Sequence, residues 1–204
     1  MSEQKMTGMT YKIQEMARRI RELREITGLT VEEAKEAITA KLEAMGVIVE
    51  EFDEAIRIFA PNKLTKIDIK TLPYPGFPTD MQPQFAVLLS IARGNSMVSE
   101  SVWDNRFRYV DQLLRMGARI TVDGKSAFIE GVEGLKGAPV IANDLRAGAA
   151  MVIAGLVASG TTEIEEIHHI QRGYDNIIEK LRSLGADIEL RNSPDDEKTV
   201  LSVG

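Results

Sequence analysis

The sequence predicts an α/β (α+β) fold of repeated helix–strand units, the first of them truncated, on three observations. AKLEAMGVIVE (40–50), QLLRMGARITV (112–122) and EKLRSLGADIEL (179–190) repeat one device: a helix end, a glycine and a β-strand. Their glycines, Gly46, Gly117 and Gly185, lie about 70 residues apart, a spacing that marks repeated supersecondary units. Upstream, TDMQPQFAVLLSIARG (79–94) parallels NDLRAGAAMVIAGLVASG (143–160), each an acidic residue opening an apolar helix that ends in glycine.

Ile13, Met16, Ala17, Ile20 and Leu23 recur at helical spacing, and Gly28 closes that amphipathic helix. Thr30 then N-caps a second helix with Glu33 in the capping-box position, its buried stripe being Val31, Ala34, Ile38, Leu42 and Met45. VIVEEF and AIRIFA read as strands around a turn at Asp53-Glu54, and KIDIK as a third strand. Each complete unit then runs Asp, helix, strand, Arg, helix, strand. The strands after the apolar helices are SMVSESVW and TTEIEEIHHI; Arg106 (DNRFRYVDQLL) and Arg172 (QRGYDNIIEKL) open the second helices. The first unit has only its second half, with the arginine-rich helix in place of the rest.

Composition narrows the function. The 204 residues carry a net charge of −6, against non-specific binding of nucleic acid or anionic membrane. Arg18, Arg19, Arg21 and Arg24 form a local basic cluster, but Glu15, Glu22 and Glu25 interleave with it and make it a solvated helix face. No run reaches the roughly 20 apolar residues of a membrane helix, and MSEQKMTGMTYK is no secretory leader. With no cysteine, disulfides and thiolate chemistry are excluded, and a cytoplasmic protein is expected. No dinucleotide or P-loop glycine signature appears, so no cofactor is expected.

Three prolines and a glycine precede Asp80 in PYPGFPTDMQ, a stiff approach to one carboxylate. Asp80 and Asp144 both open helices, and Arg106, Arg146 and Arg172 fall near them if the repeats stack. Helix N-termini and arginines both favour phosphate and carboxylate groups, so a base beside them suits a phosphorylated or carboxylated substrate. The alternative is that both aspartates are plain caps and the arginines surface residues. Trp103 and Phe107 flank Arg106 and read as core sooner than as a stacking wall. His168-His169 is the one histidine pair; as neighbours on a strand they face opposite ways, so no metal site is expected.

TLPYPGFPTDMQ, SVWDNRF, IANDLRAGAAMVIAGLVASG and HHIQRGYDNIIEKLRSLGADIE resemble the C-terminal part of the UDP-N-acetylglucosamine enolpyruvyl transferases (1-carboxyvinyltransferases) from about Glu36 to Glu189. The resemblance implies an inside-out α/β globe, helices inside and sheets outside, paired in the family with a second globe across an active-site cleft. It implies transfer of enolpyruvate from phosphoenolpyruvate to the sugar 3′-hydroxyl of UDP-N-acetylglucosamine, in peptidoglycan precursor synthesis. Carried over by position, Asp80 binds that hydroxyl and takes its proton, Val102 touches the UDP-sugar through its main chain, and Arg172 holds phosphoenolpyruvate. Arg106, Asp144 and Arg146 match further cleft residues, and Trp103 stands where the family often has Phe.

The family's acid loop, its lysine–asparagine pair and the arginines of the other globe have no counterpart here. The expectation is therefore half an active site, inactive alone, needing a complementary domain or self-associating through exposed sheet edge. A non-enzymatic UDP-sugar-binding or protein-interaction module is the alternative. EMARRIRELREITGLTVEEA (15–34) resembles the opening helices of a helix-turn-helix repressor, but no recognition helix follows and nucleic-acid binding is not expected. The expected domains are a helical segment over 1–35 and the transferase-type domain over 36–204.

Overall fold

The computed structural model describes residues 31–52, 55–73, 76–192 and 199–204, without the side chains of 31–36 and 55–56. The helix expected over 13–28, its arginine cluster, the Thr30 cap and the turn at Asp53-Glu54 lie outside the described residues. The chain divides into two compact units between Thr65 and Lys66.

In the first unit, α1 (Val31–Ala44) leads into a hairpin of β1 (Ile48–Phe52) and β2 (Ala55–Phe59). Of the expected stripe, Met45 is buried and Ile38 and Leu42 are half-buried. Gly46 ends the helix at φ 91°, a conformation that costs a residue with a Cβ about 1 kcal/mol or more. The Val47 N–H reaches back to the Leu42 carbonyl at 3.1 Å and the Gly46 N–H to Glu43 at 2.8 Å, which satisfies the last helical carbonyls. Among the described residues β2 pairs with β1 alone, and Ile48, Phe52 and Phe59 of this hairpin are exposed.

The second unit contains two copies of one topology. The first has β3 (Ile69–Lys70), a 3₁₀ turn (Thr79–Met81), α2 (Gln82–Ser90) and β4 (Asn95–Ser99). A second 3₁₀ turn (Arg106–Tyr109), α3 (Val110–Arg115), β5 (Arg119–Asp123) and β6 (Ser126–Glu130) complete it. The other copy has β7 (Pro139–Ile141), α4 (Leu145–Val157), β8 (Thr162–Glu165) and α5 (His168–Gln171). Its second half is α6 (Ile177–Ser183), β9 (Ile188–Asn192) and β10 (Thr199–Val203). The sheets are ordered β3-β4-β6-β5 and β7-β8-β10-β9, each with its first pair parallel and the rest antiparallel. The capping bonds recur too, Ala118 N–H to Leu113 at 3.0 Å and Ala186 N–H to Leu181 at 3.1 Å, beside Gly117 (φ 88°) and Gly185 (φ 91°).

In the second unit α2 and α4 lie inside the sheets, as the resemblance implies, whereas α6 has no buried residue. QPQFAVLLS and LRAGAAMVIAGLV are apolar round most of their circumference, which suits a helix covered on all sides. α2 and α4 pack on each other, with eight of nine residues of α2 and nine of thirteen of α4 buried. Val98, Ala127, Ile164 and Leu201 face them from the sheets' inner sides, whereas Met97, Phe128 and Leu190 face outward. Gly148 lets Ile170 sit against α4, since a Cβ there would stand 2.5 Å from the Ile170 Cγ1.

Three expectations need correction. KIDIK contributes only Ile69–Lys70 as strand. β4 and β8 stop at Ser99 and Glu165, so SVW and HHI are not strand. After β4 the Glu100 carboxylate captures the Val102 and Trp103 amides; after β8, Glu166 takes a left-handed φ of 58° and α5 begins. Nor do Arg106 and Arg172 both open helices. Arg106 opens a 3₁₀ turn, whereas Arg172 follows α5 as its C-cap and opens no helix.

Candidate functional site

Asp80 is held by a chain of ties that begins in the sheet. The Thr71 N–H bonds to the Ser99 carbonyl at 2.9 Å, and the Leu72 N–H closes the proline loop onto the Phe77 carbonyl at 3.0 Å. Tyr74 and Pro75, within that loop, lie outside the described residues. Phe77 is buried edge-on against Phe85 of α2, ring centroids 4.9 Å apart. Thr79 then donates its hydroxyl to Glu100 at 2.9 Å, and the 3₁₀ turn presents Asp80.

Asp80 is not a helix cap. α2 has no side-chain cap, and the Asp80 carboxylate turns instead to two guanidiniums. Arg106 donates through Nη2 to Oδ1, and Arg146, in the first turn of α4, donates through Nη2 to Oδ2 at 2.6 Å. The Arg106 Nε also reaches the Thr79 carbonyl at 3.3 Å. Burial alone would raise the Asp80 carboxyl, but the hydrogen bonds and charges of Arg146 and Arg106 outweigh it and hold it below its ordinary value. The hydrogen bond to Asp80 raises Arg146 in return. One carboxylate thus joins the two copies of the repeat.

Asp144 does act as a cap: its Oδ1 accepts the Arg146 and Ala147 N–H groups, each at 2.8 Å. That bond fixes the backbone from which Arg146 reaches Asp80. Tyr174 lies close enough that the charges of Arg146, Asp80 and Asp144 act on its hydroxyl, which burial raises. Arg172, two residues earlier, is exposed, and its guanidinium has no ion pair among the described residues. Asp80, Arg106, Asp144 and Arg146 therefore converge, while Arg172 stands at the margin.

Glu100 went unrecognised in the sequence, where SES looks like ordinary surface. It is 2% exposed and accepts four hydrogen bonds. The Thr71 hydroxyl (2.7 Å), Val102 N–H (2.9 Å) and Trp103 N–H (3.0 Å) reach Oε1, and the Thr79 hydroxyl reaches Oε2. One carboxylate thus ties the strand end, the Asp80 turn and the 101–103 loop together. Trp103 is not core; it is 62% exposed, and Val102 is exposed beside it. A cavity of about 450 Å³ opens next to Arg106, lined by Trp103, Phe107, Arg108, Val122 and Lys125.

His168 and His169 lie in a helix, so the opposite-faces argument against a shared ligand fails. Their ring centroids are 4.1 Å apart, and the His168 Nδ1 stands 3.3 Å from the Glu166 Oε2.

The sequence pattern of the EPSP synthase (3-phosphoshikimate 1-carboxyvinyltransferase) family matches residues 23–181. The chain belongs to this family of enolpyruvyl transferases. Within the family it is 60% identical over 153 residues to the UDP-N-acetylglucosamine 1-carboxyvinyltransferase 3 of Caldanaerobacter subterraneus, covering 75% of this chain and 37% of that one. It is 54% identical to the UDP-N-acetylglucosamine 1-carboxyvinyltransferase of Desulfofundulus thermocisternus, covering 80% of this chain and 67% of that one. Among solved structures, the enolpyruvyl transferase NikO of Streptomyces tendae matches with TM-score 0.72 and 31% identity over 78% of this chain and 37% of that one. An EPSP synthase from Acinetobacter baumannii, 19% identical with TM-score 0.56 over 84% of this chain and 40% of its own, shares the fold. The chain spans little more than a third of the length of most of these enolpyruvyl transferases.

Proposed function

We propose that the chain forms one wall of an enolpyruvyl transferase active site, acting on phosphoenolpyruvate and the 3′-hydroxyl of UDP-N-acetylglucosamine. The observation that carries this reading is the Asp80 carboxylate clasped by Arg106 and Arg146, in a chain so similar to UDP-N-acetylglucosamine 1-carboxyvinyltransferases. Such a reaction belongs to peptidoglycan precursor synthesis in the cytoplasm, and the transferase domain is taken as residues 36–204.

The chemistry needs a base at the hydroxyl, an acid at C3 and cations around the carboxylate and phosphate. Asp80 takes the hydroxyl proton as oxygen bonds to C2, and an acid outside this chain protonates C3. Phosphate then leaves C2 as C3 gives up a proton, which restores the double bond. Clasped by two guanidiniums, Asp80 is a weak base. An entering phosphate or carboxylate competes for Arg146 and Arg106 and frees the carboxylate as the substrate arrives. Arg172 is free to meet phosphoenolpyruvate. The Val102 N–H is taken by Glu100, so its contact to the sugar runs through the carbonyl. Asp144 positions Arg146.

Phosphate release from UDP-N-acetylglucosamine and phosphoenolpyruvate tests the reading, with the chain alone and mixed with the complementary part of a relative. Turnover is expected only in the mixture and is abolished by Asp80→Asn or Arg172→Ala. UDP-sugar binding without turnover in any mixture would favour a non-enzymatic module. If neither substitution alters binding or turnover, the site assignment is wrong.

A further inference from the structure

We propose that Glu166, His168 and His169 form a binding site for a divalent transition metal of the zinc class. Each offers one ligand atom, and these three atoms lie within 4.8 Å of one another. Metal–ligand bonds of about 2.0–2.1 Å at tetrahedral angles separate neighbouring ligand atoms by about 3.3–3.5 Å. The Glu166 Oε2 and His168 Nδ1 already stand 3.3 Å apart.

The backbone makes this arrangement. Glu166 adopts a φ of 58° just past the end of β8, two residues before α5, where both histidines sit, and its carboxylate meets His168. The His169 Nδ1 is buried without a hydrogen-bond partner, a condition a buried polar nitrogen rarely keeps. Rotation of the His169 ring that turns this nitrogen towards the metal relieves it. Two imidazoles and a carboxylate leave a fourth position open to water, and they suit zinc, cobalt or nickel better than magnesium or calcium.

The site lies at the foot of the Arg172 turn, since the Arg172 N–H donates to the His168 carbonyl at 3.2 Å. A bound cation fixes that turn and sets a positive charge a few residues from Arg172. The proposal does not depend on the transferase reading, because the metal alone is the probe.

The sequence makes the test clean: the chain has two histidines and no cysteine, so both imidazoles in any site must be these. Titration calorimetry of the tag-free chain with Zn²⁺ should give one site tighter than about 100 µM. H168N and H169N should abolish it, and E166Q should weaken it at least about 10-fold. Thermal melts of the metal-free variants check that they fold. Co²⁺ added in place of Zn²⁺ should give visible absorption bands that both histidine variants lose. The absence of a one-to-one site tighter than about 100 µM overturns the proposal. So does binding that survives unchanged in both H168N and H169N.

Discussion

Replacing Glu100 tests whether the site is held together by one buried carboxylate. A hydrogen bond to an ionised acceptor contributes about 1.5–3 kcal/mol, and a neutral one about 0.5–1.5 kcal/mol. In Glu100→Gln the three donors on Oε1 keep an acceptor but lose its charge, about 1 kcal/mol each. Thr79 meets an amide NH₂ and must turn its hydroxyl round to accept. Removing a buried charge returns a few kcal/mol of desolvation, leaving a net loss of about 1–3 kcal/mol. Glu100→Ala strands two backbone N–H groups and two hydroxyls. At about 1–3 kcal/mol each, discounted for the water that reaches the exposed side of the loop, the loss is about 4–6 kcal/mol. Thermal melts should then fall in the order wild type, Gln, Ala, by about 2–4 °C per kcal/mol. Trp103 fluorescence should shift in the same order as its loop loosens. An alanine variant that costs under about 1 kcal/mol with unchanged emission would refute the reasoning.

Two further outcomes follow from the same geometry. The Asp80 carboxyl is held below its ordinary value of 3.8, so its ion pairs stabilise the fold fully above that value and lose their effect as pH falls through the lower, folded one. Acid unfolding of the wild type should therefore be steeper below about pH 4 than that of Asp80→Asn; equal slopes would mean the arginines do not hold Asp80 in solution. A Cβ at Gly148 would stand 2.5 Å from the Ile170 Cγ1, and Gly148→Val should cost about 1–3 kcal/mol of stability in a urea titration. By displacing α5 it should also weaken phosphoenolpyruvate binding more than UDP-sugar binding in direct titrations of the complemented protein.

What was legible in the sequence is what neighbouring residues decide. The three helix–glycine–strand devices and the two buried helices rest on local periodicity and on a backbone angle that glycine accepts. Asp80 stood out because proline stiffness is local too. Arg146 was legible near it only on the condition that the repeats stack; that it donates to the same carboxylate from 66 residues away is decided by the packing of α2 on α4. Glu100 carried no signal, since a buried carboxylate and a surface one look alike between two serines. The left-handed φ at Glu166 was equally hidden, and with it the helix that replaces a strand at His168-His169. Nor was it legible that Arg172 opens no helix, since the α5 helix that interrupts the second copy ahead of it reads as strand.

That interruption has a counterpart. The Thr71 and Ala142 N–H groups make matching bonds to the ends of β4 and β8, yet the path from Thr71 to α2 is eight residues longer than the path from Ala142 to α4. The path from Glu100 to Asn105 is five residues shorter than that from Glu166 to Asn176. The two copies therefore differ in length at different joints, the longer joint of the first presenting Asp80 and that of the second containing α5 and Arg172. The copies agree most closely in sheet order and capping bonds and differ most in the joints that carry candidate site residues. A variant with both joints cut to the shorter length would be expected to keep the two sheets and to lose the arrangement that gathers Asp80 with its arginines.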